Sequence, residues 1–335
     1  MKILFLPVFL ALSTPATGQK LADAARIPEN DRVRLAEAFR IADQYSDKLW
    51  HGWNKIPFAI LLVTPETEFL VRHPNPSEDF VSSGYDSLIG DGVFARPRTF
   101  DTGLLATFPA VGGISTVVVG QAENTQAERS SRWVLTLLHE HFHQLQQSQT
   151  DYYESVNKLN LSRGDQSGMW MLNYAFPYDS VDIHRQFSLL ARALRQALLA
   201  PAPEFAVRLN RYTALREDFR SMLSDDDYRY FSFQLWQEGA ARYTEVRLCE
   251  FLADDYTPTS AFRSLPDYRS FKDEFAGLRR EILSQLRSVA LHEIRRSAFY
   301  PFGAAEALLL DRSTDTWRDD YFSRRFDLTP LFPKP

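Results

Sequence analysis

Leu137-Leu138-His139-Glu140-His141-Phe142-His143-Gln144 places three of the chain's seven histidines within five residues. The stretch can be read in two ways. On a strand, as H-x-H-x-H, His139, His141 and His143 would line one face of a sheet. On a helix, as H-E-x-x-H, His139 and His143 lie one turn apart on the same face and can grip one metal ion, with Glu140 beside it to take a proton from a bound water. The flanks favour the helix. Val134, Leu138, Phe142 and Leu145 recur at spacings of four and three, and no Gly or Pro occurs from Gln121 to Arg163. The plain alternative is a polar helix face carrying solvated histidines and no metal. His141 lies about 200° round such a helix from His139, off the metal face, where a local hydrogen bond is the most it is expected to make.

Outward from this stretch the glycines divide the chain. Half of the 14 lie between Gly84 and Gly120, and after Gly168 only Gly239, Gly277 and Gly303 remain. Glycine marks turns and weakens helices, so a strand-and-loop half precedes a helical one. In the early half a helix capped by Asn30 or Asp31 should run to about Trp50. Phe58–Thr64 reads as a buried strand, Pro65-Glu66 as a turn and Thr67–His73 as its partner, with Ile114–Gly120 as a late β-branched strand. In the later half, helical periodicity covers about 127–149, 180–199, 204–222, 226–252 and 268–286, with one more over 303–310; Asp179 and Ser180 suit the cap of the second.

The composition is that of a globular protein, with 44% apolar and 24% charged residues and an aromatic-rich core from 25 Phe, 14 Tyr and 6 Trp. A net charge of −5 and no long basic stripe give nucleic-acid binding no support. A single cysteine, Cys249, excludes an intramolecular disulfide and a Cys-rich zinc site, so any metal must be held by imidazole and carboxylate. Cys249 itself falls on an apolar helical stretch and reads as a buried small hydrophobe.

Two histidines leave a catalytic zinc one protein ligand short. The metzincin spacing needs Gly and His where this chain has Gln146 and Gln149. The helical segment Trp236-Gln-Glu-Gly-Ala-Ala-Arg-Tyr-Thr-Glu245 offers two carboxylates, Glu238 and Glu245, seven residues apart and within about 20° of each other on one helix face. One can bind metal while the other supports a ligating histidine, and geometry alone permits either assignment. An exposed acidic pair is the bland reading. Gly239 would let a second helix approach closely.

His139-Glu140-x-x-His143 followed by Glu238-Gly239-x-Ala241-x-Tyr243-x-Glu245 resembles the gluzincin metallopeptidases, which include thermolysin-like and aminopeptidase-like enzymes. The resemblance covers barely a dozen residues. The glycine split and the periodicity give an α+β fold, with an N-terminal mixed sheet and the H-E-x-x-H helix over residues 19–150 and a mostly α-helical half over 151–335. The resemblance implies that this fold is zincin-like. It also implies one zinc ion (Zn2+) per chain on His139, His143 and Glu238, with Glu245 supporting a histidine and Glu140 as general base. The chain departs from the pattern in the long interval between His143 and Glu238 and in Gln237, where an Asn is usual. A gluzincin also supplies a Tyr or His to the oxyanion; Tyr300, before a helical run, and His292 are the candidates. The Arg279-Arg280 and Arg295-Arg296 pairs read as solvated charges.

The expected function is a zinc metallopeptidase acting on a peptide or protein substrate, held in extended form along an edge strand, for which Ile114–Val119 is the candidate. The alternatives are a metal- or ligand-binding protein without turnover and a zinc hydrolase acting on another amide or an ester. Met1–Lys2, the apolar run Ile3–Leu12 and the small residues Ala16-Thr17-Gly18 read as a cleaved secretory signal over residues 1–18, too short to span a bilayer. An exported protein, periplasmic or secreted and without a membrane span after cleavage, is expected. Intact-mass measurement on the exported fraction should give a chain beginning at or near Gln19; retention of Met1 there contradicts the leader.

Overall fold

The structure is a computed structural model that describes residues 25–165 and 167–333; the secretory signal expected over residues 1–18 lies outside the described residues. Helix α1 (Glu29–Leu49) opens the described chain. It begins ahead of the expected cap residues. Pro28 occupies the cap position without a side-chain bond, and Asp31 lies inside the first turn, buried between the Arg34 guanidinium at 2.8 Å and the Gln121 amide at 2.6 Å.

One six-stranded mixed sheet follows, in the order β3-β4-β2-β1-β6-β5. Its strands are β1 (Ile60–Val63), β2 (Thr67–Val71), β3 (Val81–Asp86), β4 (Asp91–Pro97), β5 (Leu105–Val111) and β6 (Ile114–Gly120). The β1–β6 pair is parallel and the others are antiparallel. Strand β1 is apolar throughout because both of its faces are covered. Ile60 and Leu62 face the main core, whereas Leu61 and Val63 meet Leu70, Phe80, Val111 and Val118 on the far side.

Ile114–Val119 is not the edge expected from the sequence. Strand β6 lies between β1 and β5, and the edges of the sheet are β5 on this side and β3 on the other. The reason is the tight connection Gly112-Gly113, with φ of 55° and 73°, which folds β5 back onto β6 with Val111 opposite Ile114. Two successive positive φ angles make the primed turn whose twist matches a hairpin.

Helix α2 (Ser130–Gln147) carries the histidine cluster and packs on β5 and β6. The helical half contains α3 (Val181–Leu199), α4 (Ala202–Ser221), α5 (Asp225–Gln234), α6 (Ala240–Asp255), α7 (Phe271–Arg287) and α8 (Phe299–Ser313), with shorter helices between them. The Ser180 side chain caps α3 by accepting from Ile183 N, as its sequence suggests. The helix expected over 226–252 is interrupted. A π turn, Leu235–Gly239, joins α5 to α6. One apolar core runs from Ile27 through the inner face of the sheet to Phe332, and no helix among the described residues is long and apolar enough to cross a membrane.

Gly239 does serve a close helix contact, and its partner is Gly303 of α8. A Cβ built on Gly239 would stand 2.5 Å from Gly303 Cα, and one built on Gly303 would stand 2.9 Å from the Leu235 carbonyl oxygen. Both obstacles are backbone, so a methyl group fits only if the helices part. Overpacking of this kind costs about 1–3 kcal/mol. Gly303→Ala should therefore lower stability by that amount in denaturant titration; an unchanged midpoint would show that α8 yields freely.

Candidate metal centre

Helix α2 turns Val134, Leu138, Phe142 and Leu145 into the core and His139, Glu140 and His143 toward the π turn and β5, all of them at least nine-tenths buried. The imidazoles of His139 and His143 stand one turn apart with ring centroids 4.9 Å apart. Glu238, in the π turn, reaches toward both: its Oε2 is 3.7 Å from His139 Nε2 and 3.4 Å from His143 Nε2. The three ligand atoms lie within 4.8 Å of one another. Ligands bound to zinc at the usual distances and at tetrahedral angles stand about 3.4 Å from each other, so the donor set fits that ion with little movement.

The charges of this group interact strongly. Burial disfavours a charged His139, yet the carboxylates of Glu238 and Glu245, with Glu140 nearby, raise its pKa to about 9. Burial likewise opposes the charge on Glu238, but His143, His139 and Arg296 hold its carboxyl well below the usual range. The carboxylates thus favour positive charge at His139.

The far nitrogen of each histidine has its own partner. Glu245 Oε2 stands 3.7 Å from His139 Nδ1 and accepts from Arg242 at 2.6 Å, with Arg132 at 3.6 Å from its other oxygen. Against burial, these cations hold Glu245 ionised far below the ordinary carboxylate pKa. His143 Nδ1 donates to Gln146 Oε1 at 2.6 Å. The Gln146 amide nitrogen then donates to the carbonyls of Trp236 and Gln237, both at 3.1 Å, and to the Tyr321 hydroxyl at 2.8 Å. Gln146 therefore orients one histidine and fastens the π turn to α2. Its signal was its position three residues after His143, on the same helix face.

Glu140 lies between α2 and the sheet edge, where its Oε2 accepts from the Thr107 hydroxyl of β5 at 2.7 Å. Tyr300, in the first turn of α8, sets its ring parallel to that of His139 with centroids 6.3 Å apart. Its hydroxyl accepts from Arg296 Nη1 at 2.7 Å. Burial, then the Glu238 charge, pushes its pKa well above 10, so it stays a phenol able to donate. The other oxyanion candidate, His292, is exposed on the surface with its ring against His184. Arg296 is no solvated charge: its Nη1 is 3.2 Å from Glu238 Oε1. Nothing in the sequence distinguished it from Arg295, which pairs with exposed Asp179.

His141 points away from the cluster, stacked on Phe58 at 4.0 Å with Nδ1 bound to Gln144 Oε1, and burial pushes its pKa down to about 3. It is a core residue, in line with its place on the helix. Tyr243 bonds Asp311, and Cys249 is buried. No family model, curated protein or solved structure matches this chain.

Partners that orient a metal-bound histidine typically account for about 10–100-fold in metal affinity. Gln146→Ala and Glu245→Gln should each weaken zinc binding by that factor in competition titration, and Gln146→Ala should also lose about 1–3 kcal/mol of stability through carbonyls left unpaired. Unchanged affinity in both variants would show that the two ligands are held by packing alone.

Proposed function

We propose that the protein is a zinc-dependent hydrolase, a metallopeptidase of zincin-like, gluzincin type that cleaves peptide bonds with a metal-activated water. The observation that carries this reading is the convergence of His139 Nε2, His143 Nε2 and Glu238 Oε2 beside a buried carboxylate, Glu140, that is not needed as a ligand. Zinc on those three atoms would supply Lewis acidity and lower the pKa of its water.

The chain's own groups do the rest. Glu140, steadied by the Thr107 hydroxyl, accepts the water's proton and returns it to the leaving amine. Tyr300 donates its phenolic proton in a hydrogen bond to the oxyanion that develops on the substrate carbonyl. Edge strand β5, which carries Thr107, is the surface along which an extended peptide would lie, taking the role first expected of Ile114–Val119. The N-terminal signal reading makes the site of action periplasmic or extracellular.

Glu140→Gln keeps shape and helix but cannot accept the proton. It should retain zinc and lower peptide hydrolysis by about 10²–10⁴-fold. Glu238→Ala, lacking a ligand, should lose the metal. Normal turnover by the Glu140 variant removes it from the mechanism, and a Glu238 variant with normal zinc content places the third ligand elsewhere. Faster hydrolysis of esters than of peptides by the wild-type protein would redirect the substrate assignment.

A further inference from the structure

The two oxygens of Glu238 face different partners. Oε2 looks to the two imidazoles, and Oε1 is 3.2 Å from Arg296 Nη1. The guanidinium is itself held, because the same nitrogen donates to the Tyr300 hydroxyl at 2.7 Å, and Arg296 and Tyr300 are one helical turn apart. Both ends of the contact are largely shielded, with side-chain exposures of 22% for Arg296 and 17% for Glu238, so solvent competes with it little.

A carboxylate rotates easily about its last torsion, which has broad, two-fold minima. A free Glu238 could therefore turn both oxygens toward an ion. That would add a fifth ligand atom beside the water of a hydrolytic site, raising it from four- to five-coordinate and crowding the position the water uses, since catalytic zinc keeps three protein ligands and one open position. Charge-assisted hydrogen bonds are about twice as strong as neutral ones, enough to oppose such a rotation.

We propose that Arg296 is a positioning residue that holds Glu238 by Oε1, so that the carboxylate meets the metal through Oε2 alone and the fourth position stays open. This rests on the metal-centre reading above and adds to it a function for a residue outside the ligand set. It also gives Tyr300 a second task, anchoring the guanidinium through its hydroxyl oxygen.

The test uses the full mature protein loaded with Co2+ in place of zinc, whose visible absorption is intense in four-coordinate and weak in five-coordinate sites. Arg296→Met should still bind one Co2+ but show the weaker five-coordinate spectrum. In its zinc form kcat should fall by about 10–100-fold, the usual cost of losing a partner of a metal ligand, with KM little changed. Arg296→Lys, which restores a cationic donor, should recover the four-coordinate spectrum in part. If Arg296→Met does not fold, Arg296→Gln is read in the same way. A wild-type spectrum in either folded, neutral variant overturns the proposal. Failure of the wild-type protein to take up Co2+ or Zn2+ overturns the metal centre instead, so the two failures are distinguishable.

Discussion

The geometry of the site depends on how one turn of backbone is docked against α2. The π turn Leu235–Gly239 must bring Glu238 to two histidines that lie far from it in the chain, and it is fixed on both sides. On one side the Gln146 amide takes the carbonyls of Trp236 and Gln237. On the other, Gly239 lies against Gly303 with no side chain between the helices. A π turn is a costly local geometry that persists where surrounding contacts compensate it, commonly at functional sites. Here the same contacts that hold the turn also aim His143 and Glu238 at one point.

Charge is organised around that point in layers. His139 and Glu238 share the centre; Glu245 with Arg242 and Arg132 lies behind one histidine, and Arg296 behind the carboxylate. Arg242 and Arg132 both reach Glu281 of α7, which extends the network to a helix outside the His139–His143–Glu238 group. A separate buried pair, Arg216 with Glu306, ties α4 to α8 one turn beyond Gly303, with Arg216 Nε 2.5 Å from Glu306 Oε1. Breaking a buried pair by removing one partner typically costs about 3–5 kcal/mol, so α8 is held where it can present both Gly303 and Tyr300.

Legibility in the sequence followed range. The helix of the histidine cluster, the β1–β2 hairpin and the cap at Ser180 are written in neighbouring residues and could be read there. The Glu238–Glu245 pairing could also be read: although the π turn contains Glu238, both carboxylates still reach His139. Strands β3 and β4 could not: Val81–Asp86 is half exposed and contains Gly84, and Asp91–Pro97 ends in proline, so neither shows a clean alternation. The place of β6 was misread although Gly112-Gly113 is a hairpin signal, since that turn supplies β6 with a second neighbour. Arg296 and Thr107 were invisible for another reason. Their roles come from contacts across the fold, and their own neighbourhoods look like ordinary surface.

The exposed margin of the sheet has a consequence for how copies of the protein behave toward one another. An open β-strand invites pairing with any passing chain, including a second copy. Strand β5 keeps a regular ladder with β6 only from Leu105 to Phe108; beyond that the register shifts, and Pro109 offers no amide hydrogen. Within the regular stretch, the Thr107 carbonyl is already taken by the Gln147 side chain at 3.0 Å. What remains at this margin can pair with a few residues of an extended peptide but not with the whole edge of a second sheet.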